Sequence, residues 1–173
     1  PDRWEKRLSF PLSGCLGSAV GPRDGETADH LLKHADLAMK QAKGVGRGAC
    51  FVYRQELDQQ VRDSLEIATL LRRAAERGEL QLFFQPLIDL RSGRAIAAEA
   101  LLRWNSAVLG PVSPARFIPV AEEAGLIRKL GAWILEQACI QAVTWQSVAP
   151  CRVAVNVSSL QLLVPEEFRA SVE

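Results

Sequence analysis

The sequence predicts an α/β protein in which strands and helices alternate along the chain. An apolar run at residues 95–104 is typical of a buried strand. The turn before it, Arg91-Ser92-Gly93, is too short for a crossover, so the preceding strand at residues 80–90 is predicted to pair antiparallel with it. A long helix at residues 127–147 then leads to a strand at residues 152–157, a connection long enough for a parallel return.

Three further elements are predicted upstream of this sheet. A strand-like stretch covers residues 8–20 and ends in a Gly-Pro turn. Thr27 is a candidate N-cap for a helix that runs through about Gly44, because apolar side chains then recur at helical spacing. Residues 49–53 form a short strand.

Residues 54–77 carry the pattern of a long amphipathic helix. Its apolar side chains recur every three or four positions, and Gly78 supplies a stop signal. The helix is either a core helix or a linker, and its many charges favour a linker. We expect it to dock through Leu57, Val61, Leu65 and Leu71.

Composition narrows the function classes. The chain has 173 residues, 48% of them hydrophobic and 24% charged, with a net charge of +1. These values are those of a globular protein and give no electrostatic reason to expect a nucleic acid polymer or an anionic membrane as partner. The four cysteines lack metal or disulfide spacing, which predicts reduced thiols and a cytoplasmic location, with room upstream for sensory or membrane domains.

Two charged side chains lie on one face of the central strand. Strand alternation points Glu99 and Arg103 to the same side, among mostly apolar neighbours. Burying an unpaired charge costs several kcal/mol or more. The two residues are roughly 13 Å apart along the strand and cannot simply pair with each other. Each therefore needs a metal, a ligand or another ion partner, and pairing of Glu99 with a basic residue elsewhere remains an alternative.

Several blocks together identify a family. Glu99-Ala100-Leu101-Leu102-Arg103-Trp104 is preceded by Phe84-Gln85-Pro86 and followed by Phe117-Ile118-Pro119-Val120-Ala121-Glu122 and Val155-Asn156-Val157-Ser158. In this order and spacing they resemble the EAL family, the cyclic di-GMP phosphodiesterase domains of bacteria, over about residues 79–173. The resemblance implies a β/α barrel whose first strand runs antiparallel to the others.

The resemblance also implies roles for four residues. Glu99 and Asn156 would be ligands of Mg²⁺ or Mn²⁺, for which oxygen donors are suited. Arg103 would hold a substrate phosphate and Gln85 would contact the substrate. The alternatives are purely structural: Asn156 would form a turn or helix cap at the end of its strand, and the side-chain amide of Gln85 would be hydrogen-bonded within the protein. The block at residues 117–119 is interpreted as packing.

A second resemblance lies upstream. Ala35-Asp36-Leu37-Ala38-Met39, Ala42-Lys43 and Gly46-Arg47 resemble the last third of a GGDEF domain, the diguanylate cyclase fold. It implies that Lys43 and Arg47 reach the phosphates of GTP in a complete domain, although Lys40 and Gly48 depart from that family's pattern. Solvated cations at a helix C-terminus fit equally well. His30 and His34 are expected on a solvated helix surface.

These observations predict a tripartite organisation. Residues 1–53 are the C-terminal part of a GGDEF domain, 54–78 a linker helix and 79–173 the N-terminal part of an EAL domain. A β/α barrel needs about 250 residues, so the barrel is expected to be incomplete, with no complete catalytic set and no turnover by the chain alone.

The longer protein of which this chain would be a part, its parent, is expected to hydrolyse cyclic di-GMP to the linear dinucleotide and to form a homodimer. The alternatives are a catalytically inactive cyclic di-GMP receptor and a protein that acts mainly as a diguanylate cyclase on GTP.

Overall fold

A computed structural model describes residues 13–147 and 151–172. The chain divides into two compact units between Asp63 and Ser64. Within the described ranges, no helix is both long enough and apolar enough to cross a membrane. The strands are β1 (Leu16–Ser18), β2 (Cys50–Val52), β3 (Leu80–Ile88), β4 (Ala95–Ser106), β5 (Gly110–Val112) and β6 (Arg152–Val155). The helices are α1 (Ala28–Val45), α2 (Gln55–Leu71), α3 (Pro114–Glu123), α4 (Ile127–Gln146) and α5 (Pro165–Ala170), with a 3₁₀ turn at Ser159–Gln161.

In the first unit, α1 packs on a parallel pair formed by β1 and β2. The predicted helix start is confirmed, since the Thr27 side chain accepts a hydrogen bond from the His30 amide. Gly17 allows the close approach of α1, because a Cβ there would lie 2.1 Å from the Met39 amide nitrogen. Of the strand predicted at residues 8–20, positions 8–12 lie outside the described residues, and the strand itself is only Leu16–Ser18.

A polar and aromatic cluster surrounds His34, which corrects the expectation of a solvated ring. His34 is half-buried and stacks on Tyr53 with ring centroids 4.0 Å apart. Its Nδ1 contacts the backbone carbonyl of Asp24, and its Nε2 lies 3.6 Å from Asp58 Oδ2. His30 is exposed, as expected. Helical periodicity shows which face a residue is on, but it does not show that the Gly21-Pro22 turn folds back over that face.

The same cluster perturbs two ionisable groups. Hydrogen bonds from the Arg23 guanidinium and the Val20 amide hold the pKa of Asp24 at about 2. Burial of the Tyr53 ring, together with the 2.6 Å hydrogen bond that its hydroxyl donates to Asp58, raises the pKa of Tyr53 to about 12. The neutral phenol is therefore favoured by folding, and this stabilisation is present below about pH 10 and lost as the pH rises through 12.

Because the chain has a single tyrosine, this shift can be measured directly. We predict that the phenolate absorbance at 295 nm appears with a midpoint near pH 12 in the folded protein and near pH 10 in denaturant. The Tyr53→Phe variant supplies the background, and far-UV circular dichroism reports the fold at each pH. A midpoint near 10 while the protein is still folded would contradict the buried, hydrogen-bonded phenol.

The long helix α2, which begins in the first unit and ends in the second, is shorter than predicted, and only part of its apolar stripe is buried. α2 ends at Leu71 instead of residue 77, because Arg73 and Ala74 donate to carbonyls three residues back and the chain then turns at Gly78, whose φ is 67°. Ile67 and Leu71 are buried, whereas Val61 and Leu65 are 42% and 63% exposed. The expected docking through Val61 and Leu65 is therefore wrong, whereas that through Leu71 is confirmed, and the buried part of the stripe begins at Ile67.

The two ends of this stripe should respond differently to truncation. Ile67→Ala removes a side chain that is 2% exposed and should lower the free energy of unfolding by about 2–5 kcal/mol. Leu65→Ala, the matched control on the same helix, should change it by less than about 0.5 kcal/mol. Urea titrations of both variants measure the difference, and equal losses would show that Leu65 is also docked.

The second unit contains the four-stranded sheet. β4 is its centre and pairs antiparallel with β3 and β5 and parallel with β6, which confirms both predicted pairings. The short hairpin strand β5 was not predicted, because Pro111 lies at its centre. α3 is one continuous helix with Pro119 inside it.

The sheet has one packed face and one open face. On the packed face, the rings of Trp104 and Phe117 meet edge to face with centroids 5.6 Å apart, within a core to which α2, α3 and α4 all contribute. This confirms that the block at residues 117–119 begins with a packing residue, since Phe117 is completely buried. We call the opposite side the open face. Its side chains are Gln81, Phe83, Gln85 and Leu87 from β3, Ala97, Glu99, Leu101 and Arg103 from β4, and Arg152 and Ala154 from β6.

Candidate functional site

The open face gathers the four site residues that the sequence predicts for the sheet. Gln85 lies directly opposite Glu99 in the antiparallel ladder, and Arg103 lies opposite Gln81. Asn156 follows the last residue of β6, at the carboxyl end of a strand that runs parallel to β4. Carboxyl ends of neighbouring parallel strands are where β/α folds place their reacting groups.

Glu99 and Asn156 are in direct contact. The Asn156 Nδ2 donates a hydrogen bond of 2.7 Å to Glu99 Oε1, although the two residues are 57 positions apart in the sequence. The register explains the contact: Glu99 is level with Ala154, and Asn156 lies two residues further along on the same face. The alternative in which Glu99 pairs with a basic residue is not realised among the described residues.

The chemistry of this pair fits a hard divalent cation. Within the described ranges, the side chains of Glu99 and Asn156 make no hydrogen bond besides their mutual one, so a second carboxylate oxygen and the amide oxygen are available. Carboxylate and amide oxygens are the ligands that Mg²⁺ and Mn²⁺ take. No cluster of three or more His, Cys, Asp or Glu side chains suited to a metal lies among residues 13–147 and 151–172.

Arg103 lies at the end of the open face, where it has an aromatic neighbour. Its Cζ is 5.6 Å from the ring centroid of Phe83, and its Nη1 donates to the Leu102 carbonyl at 2.9 Å. No ion pair of Arg103 occurs in the part of the chain that the structure describes. Arg103 and Phe83 line a cleft of about 510 Å³ together with Gln81, Asn105 and Ser113, so the guanidinium is accessible to a ligand.

Lys43 and Arg47 belong to the first unit, whereas the other four site residues belong to the second. Lys43 lies in the last turn of α1, and Arg47 follows the C-cap at Gly46. Both side chains are exposed. This placement is compatible with a phosphate clamp and equally with cations that stabilise the negative end of the helix dipole.

Sequence reasoning missed the residues that anchor Asn156. Ser158 donates a hydrogen bond of 2.6 Å to Glu122 on α3, and its amide donates to the side chain of buried Gln161 at 3.0 Å. These bonds fix the loop directly after Asn156. The Ser158-Ser159-Leu160-Gln161 sequence is a capping box, which could have predicted half of this arrangement. Nothing in the sequence pattern pairs Ser158 with Glu122.

Gln161 occupies space that Gly131 leaves open on α4. A Cβ at position 131 would lie 2.0 Å from the Gln161 Nε2. We predict that Gly131→Ala displaces Gln161, breaks its bond to the Ser158 amide and costs about 1–3 kcal/mol of stability through overpacking. Thermal unfolding measures the loss. The Gly131→Ala/Gln161→Ala double variant relieves the clash, so a double variant no more stable than Gly131→Ala alone would contradict the steric account.

Comparison with known families identifies the second unit. Residues 69–173 match the family described as the EAL domain. This range contains all of the described sheet formed by β3, β4, β5 and β6, and with it the Glu99–Asn156 pair.

Curated relatives cover most of this chain. The bifunctional diguanylate cyclase/cyclic di-GMP phosphodiesterase MucR of Pseudomonas aeruginosa is 39% identical over 168 residues, which is 90% of this chain and 24% of that protein. The cyclic di-GMP phosphodiesterase PdeR of Escherichia coli K12 is 40% identical over 156 residues, 90% of this chain and 23% of that protein. The chain thus spans about a quarter of the length of these relatives.

A solved structure of the PaMucR phosphodiesterase in complex with c-di-GMP shares the fold. It superposes with a TM-score of 0.57 at 37% identity and covers 62% of this chain and 45% of that one.

Proposed function

Since the chain belongs to the EAL domain family, we propose that it forms part of a tandem GGDEF–EAL signalling protein that hydrolyses cyclic di-GMP to the linear dinucleotide. We call this protein the parent. The observation that carries the proposal is the 2.7 Å contact between Glu99 and Asn156, which brings two oxygen-bearing side chains together where the carboxyl end of β6 lies beside its parallel neighbour β4. The relatives MucR and PdeR are named as cyclic di-GMP phosphodiesterases.

Glu99 and Asn156 would hold a Mg²⁺ or Mn²⁺ ion in the complete domain. Such an ion lowers the pKa of bound water and neutralises charge on a phosphodiester. This chain's own contribution is to orient the ligands: the β4–β6 register sets Glu99, and the Ser158 bonds to Glu122 and Gln161 set the loop that carries Asn156.

Arg103 and Gln85 would bind the substrate. The planar guanidinium suits two parallel hydrogen bonds to phosphate oxygens. Arg103 stands roughly 13 Å along the strand from Glu99. This separation favours a ligand that has a second phosphate beyond the one beside Glu99, and a cyclic dinucleotide has two. Gln85, opposite Glu99 in the ladder, would donate a hydrogen bond to the ligand from the same face of the sheet.

For the first unit we propose the C-terminal part of a GGDEF domain at residues 1–53, joined through a linker at 54–78 to the EAL part at 79–173. The similarity to bifunctional MucR covers 90% of this chain and therefore extends upstream of residue 69, where the EAL match begins. In a complete GGDEF domain, Lys43 and Arg47 would contact GTP phosphates. A cytoplasmic location and a homodimeric parent remain proposals.

We predict that Glu99→Gln in the parent lowers kcat for Mn²⁺-dependent hydrolysis of cyclic di-GMP by about 10²–10³-fold, as loss of one electrostatic stabiliser commonly does. The physical reason is the loss of a charged oxygen ligand. Glu136→Gln, an exposed position on α4, is the matched control and should leave kcat unchanged. Linear dinucleotide is quantified by chromatography over a Mn²⁺ titration.

Two outcomes would revise the proposal. A Glu99→Gln parent with full activity would show that Glu99 holds no essential cation. A wild-type parent that binds cyclic di-GMP without turnover at any Mn²⁺ concentration would make it a receptor instead of a hydrolase.

A further inference from the structure

We propose that Phe83 is a positioning residue that holds the Arg103 guanidinium ready for a phosphate. The inference rests on the proposed function for its ligand, but it concerns a contact that exists within this chain. Neither the EAL sequence blocks nor the Glu99–Asn156 pair assigns Phe83 a role.

The sheet register brings Phe83 and Arg103 together. Arg103 faces Gln81 across the β3–β4 ladder, and Phe83 is the next residue of β3 on the same face. Diagonal neighbours of this kind are within reach of long and aromatic side chains. The Arg103 Cζ lies 5.6 Å from the centre of the Phe83 ring, inside the distance at which a cation is attracted by the ring face.

Phe83 is not a core residue. Its side chain is 56% exposed on the open face, whereas Phe84, on the packed face, contacts Trp145 edge to face at 4.9 Å. Phe83 also lines the cleft of about 510 Å³ that holds Arg103. The ring therefore shapes the surroundings of the cation and contributes little to the packing under the helices.

The kind of contact matters for binding an anion. A carboxylate partner would neutralise Arg103 and compete with a phosphate for its N–H groups. An aromatic face attracts the cation and occupies none of those donors. Among residues 13–147 and 151–172, the Arg103 fork is held only by the ring and by one hydrogen bond to the Leu102 carbonyl, so most of its five donors remain available to a ligand.

The contact can be tested without a ligand, on this 173-residue chain. In the ¹⁵N-resolved NMR spectrum, the Arg103 Nε–Hε signal should carry an upfield ring-current shift from Phe83. Phe83→Leu, which keeps an apolar side chain but removes the ring face, should abolish that shift, and Phe83→Tyr should retain it. Arg103→Lys assigns the signal. An Arg103 signal that Phe83→Leu leaves unchanged would overturn the proposal.

The functional consequence is measured in the parent with cyclic di-GMP as the probe, by calorimetry with Ca²⁺ in place of a catalytic ion. A cation–π contact at an exposed site is worth about 0.5–1 kcal/mol, so Phe83→Leu should weaken binding of cyclic di-GMP about 2–5-fold. Phe83→Tyr, which keeps the ring, should bind with the wild-type affinity. In an Arg103→Ala background, Phe83→Leu should cause no further loss, because the group that it positions is gone.

The outcomes separate the two proposals. An undiminished 2–5-fold loss in the Arg103→Ala background would show that Phe83 acts on the ligand or the fold by itself and would overturn the positioning role. A wild-type parent that does not bind cyclic di-GMP would contradict the proposed function, and the NMR comparison would then decide the Phe83–Arg103 contact alone.

Discussion

The parallel pairing of β6 with β4 is the constraint on which the candidate site depends. It places Glu99 level with Ala154, and only this register puts Asn156 on the open face within 2.7 Å of the carboxylate. A slip of one residue would turn Asn156 toward the packed face and separate the pair. The pairing in turn requires α3 and α4, which cover the packed face and return the chain to the same end of the sheet.

The two faces of β4 carry different kinds of side chain: one face is apolar and stabilises the fold, and the other carries the charged groups of the candidate site. Ala98, Ala100, Leu102 and Trp104 are buried on the packed face, and burial of such apolar surface is the main favourable term in folding. Glu99 and Arg103 alternate with them and are only half-buried. The strand therefore holds charged groups rigidly without the desolvation cost that a fully buried ion would carry. Substitutions on one face should affect unfolding, and those on the other should affect ligand binding.

Strand alternation and turn length explain why much of the second unit could be predicted. The antiparallel β3–β4 pair, the parallel return of β6 and the shared face of Glu99 and Arg103 all follow from local rules about period and connection length. The hydrogen bond between Ser158 and Glu122 could not be predicted, because it joins residues 36 positions apart and depends on where α3 packs.

Errors arose where packing overrides a local pattern. The apolar stripe of α2 continues through Val61 and Leu65, but the core meets the helix only from Ile67 onward, so periodicity marked a face without showing which part of it is covered. The helix also ends at Leu71 because 3₁₀-type hydrogen bonds, in which an amide donates to the carbonyl three residues back, replace the α-helical pattern before Gly78. The predicted exposure of His34 is wrong for a related reason, since its side chain is covered by the turn around Asp24 and by the Tyr53 ring.

Joint binding of one cation by Glu99 and Asn156 is tested most directly by anomalous scattering from Mn²⁺. Crystals of the parent grown with Mn²⁺ should give an anomalous difference peak about 2.1 Å from both a Glu99 carboxylate oxygen and the Asn156 amide oxygen. The mutual hydrogen bond of 2.7 Å should then be replaced by the two metal contacts. A crystal in which the peak lies elsewhere, while Asn156 still donates to Glu99, would contradict the account.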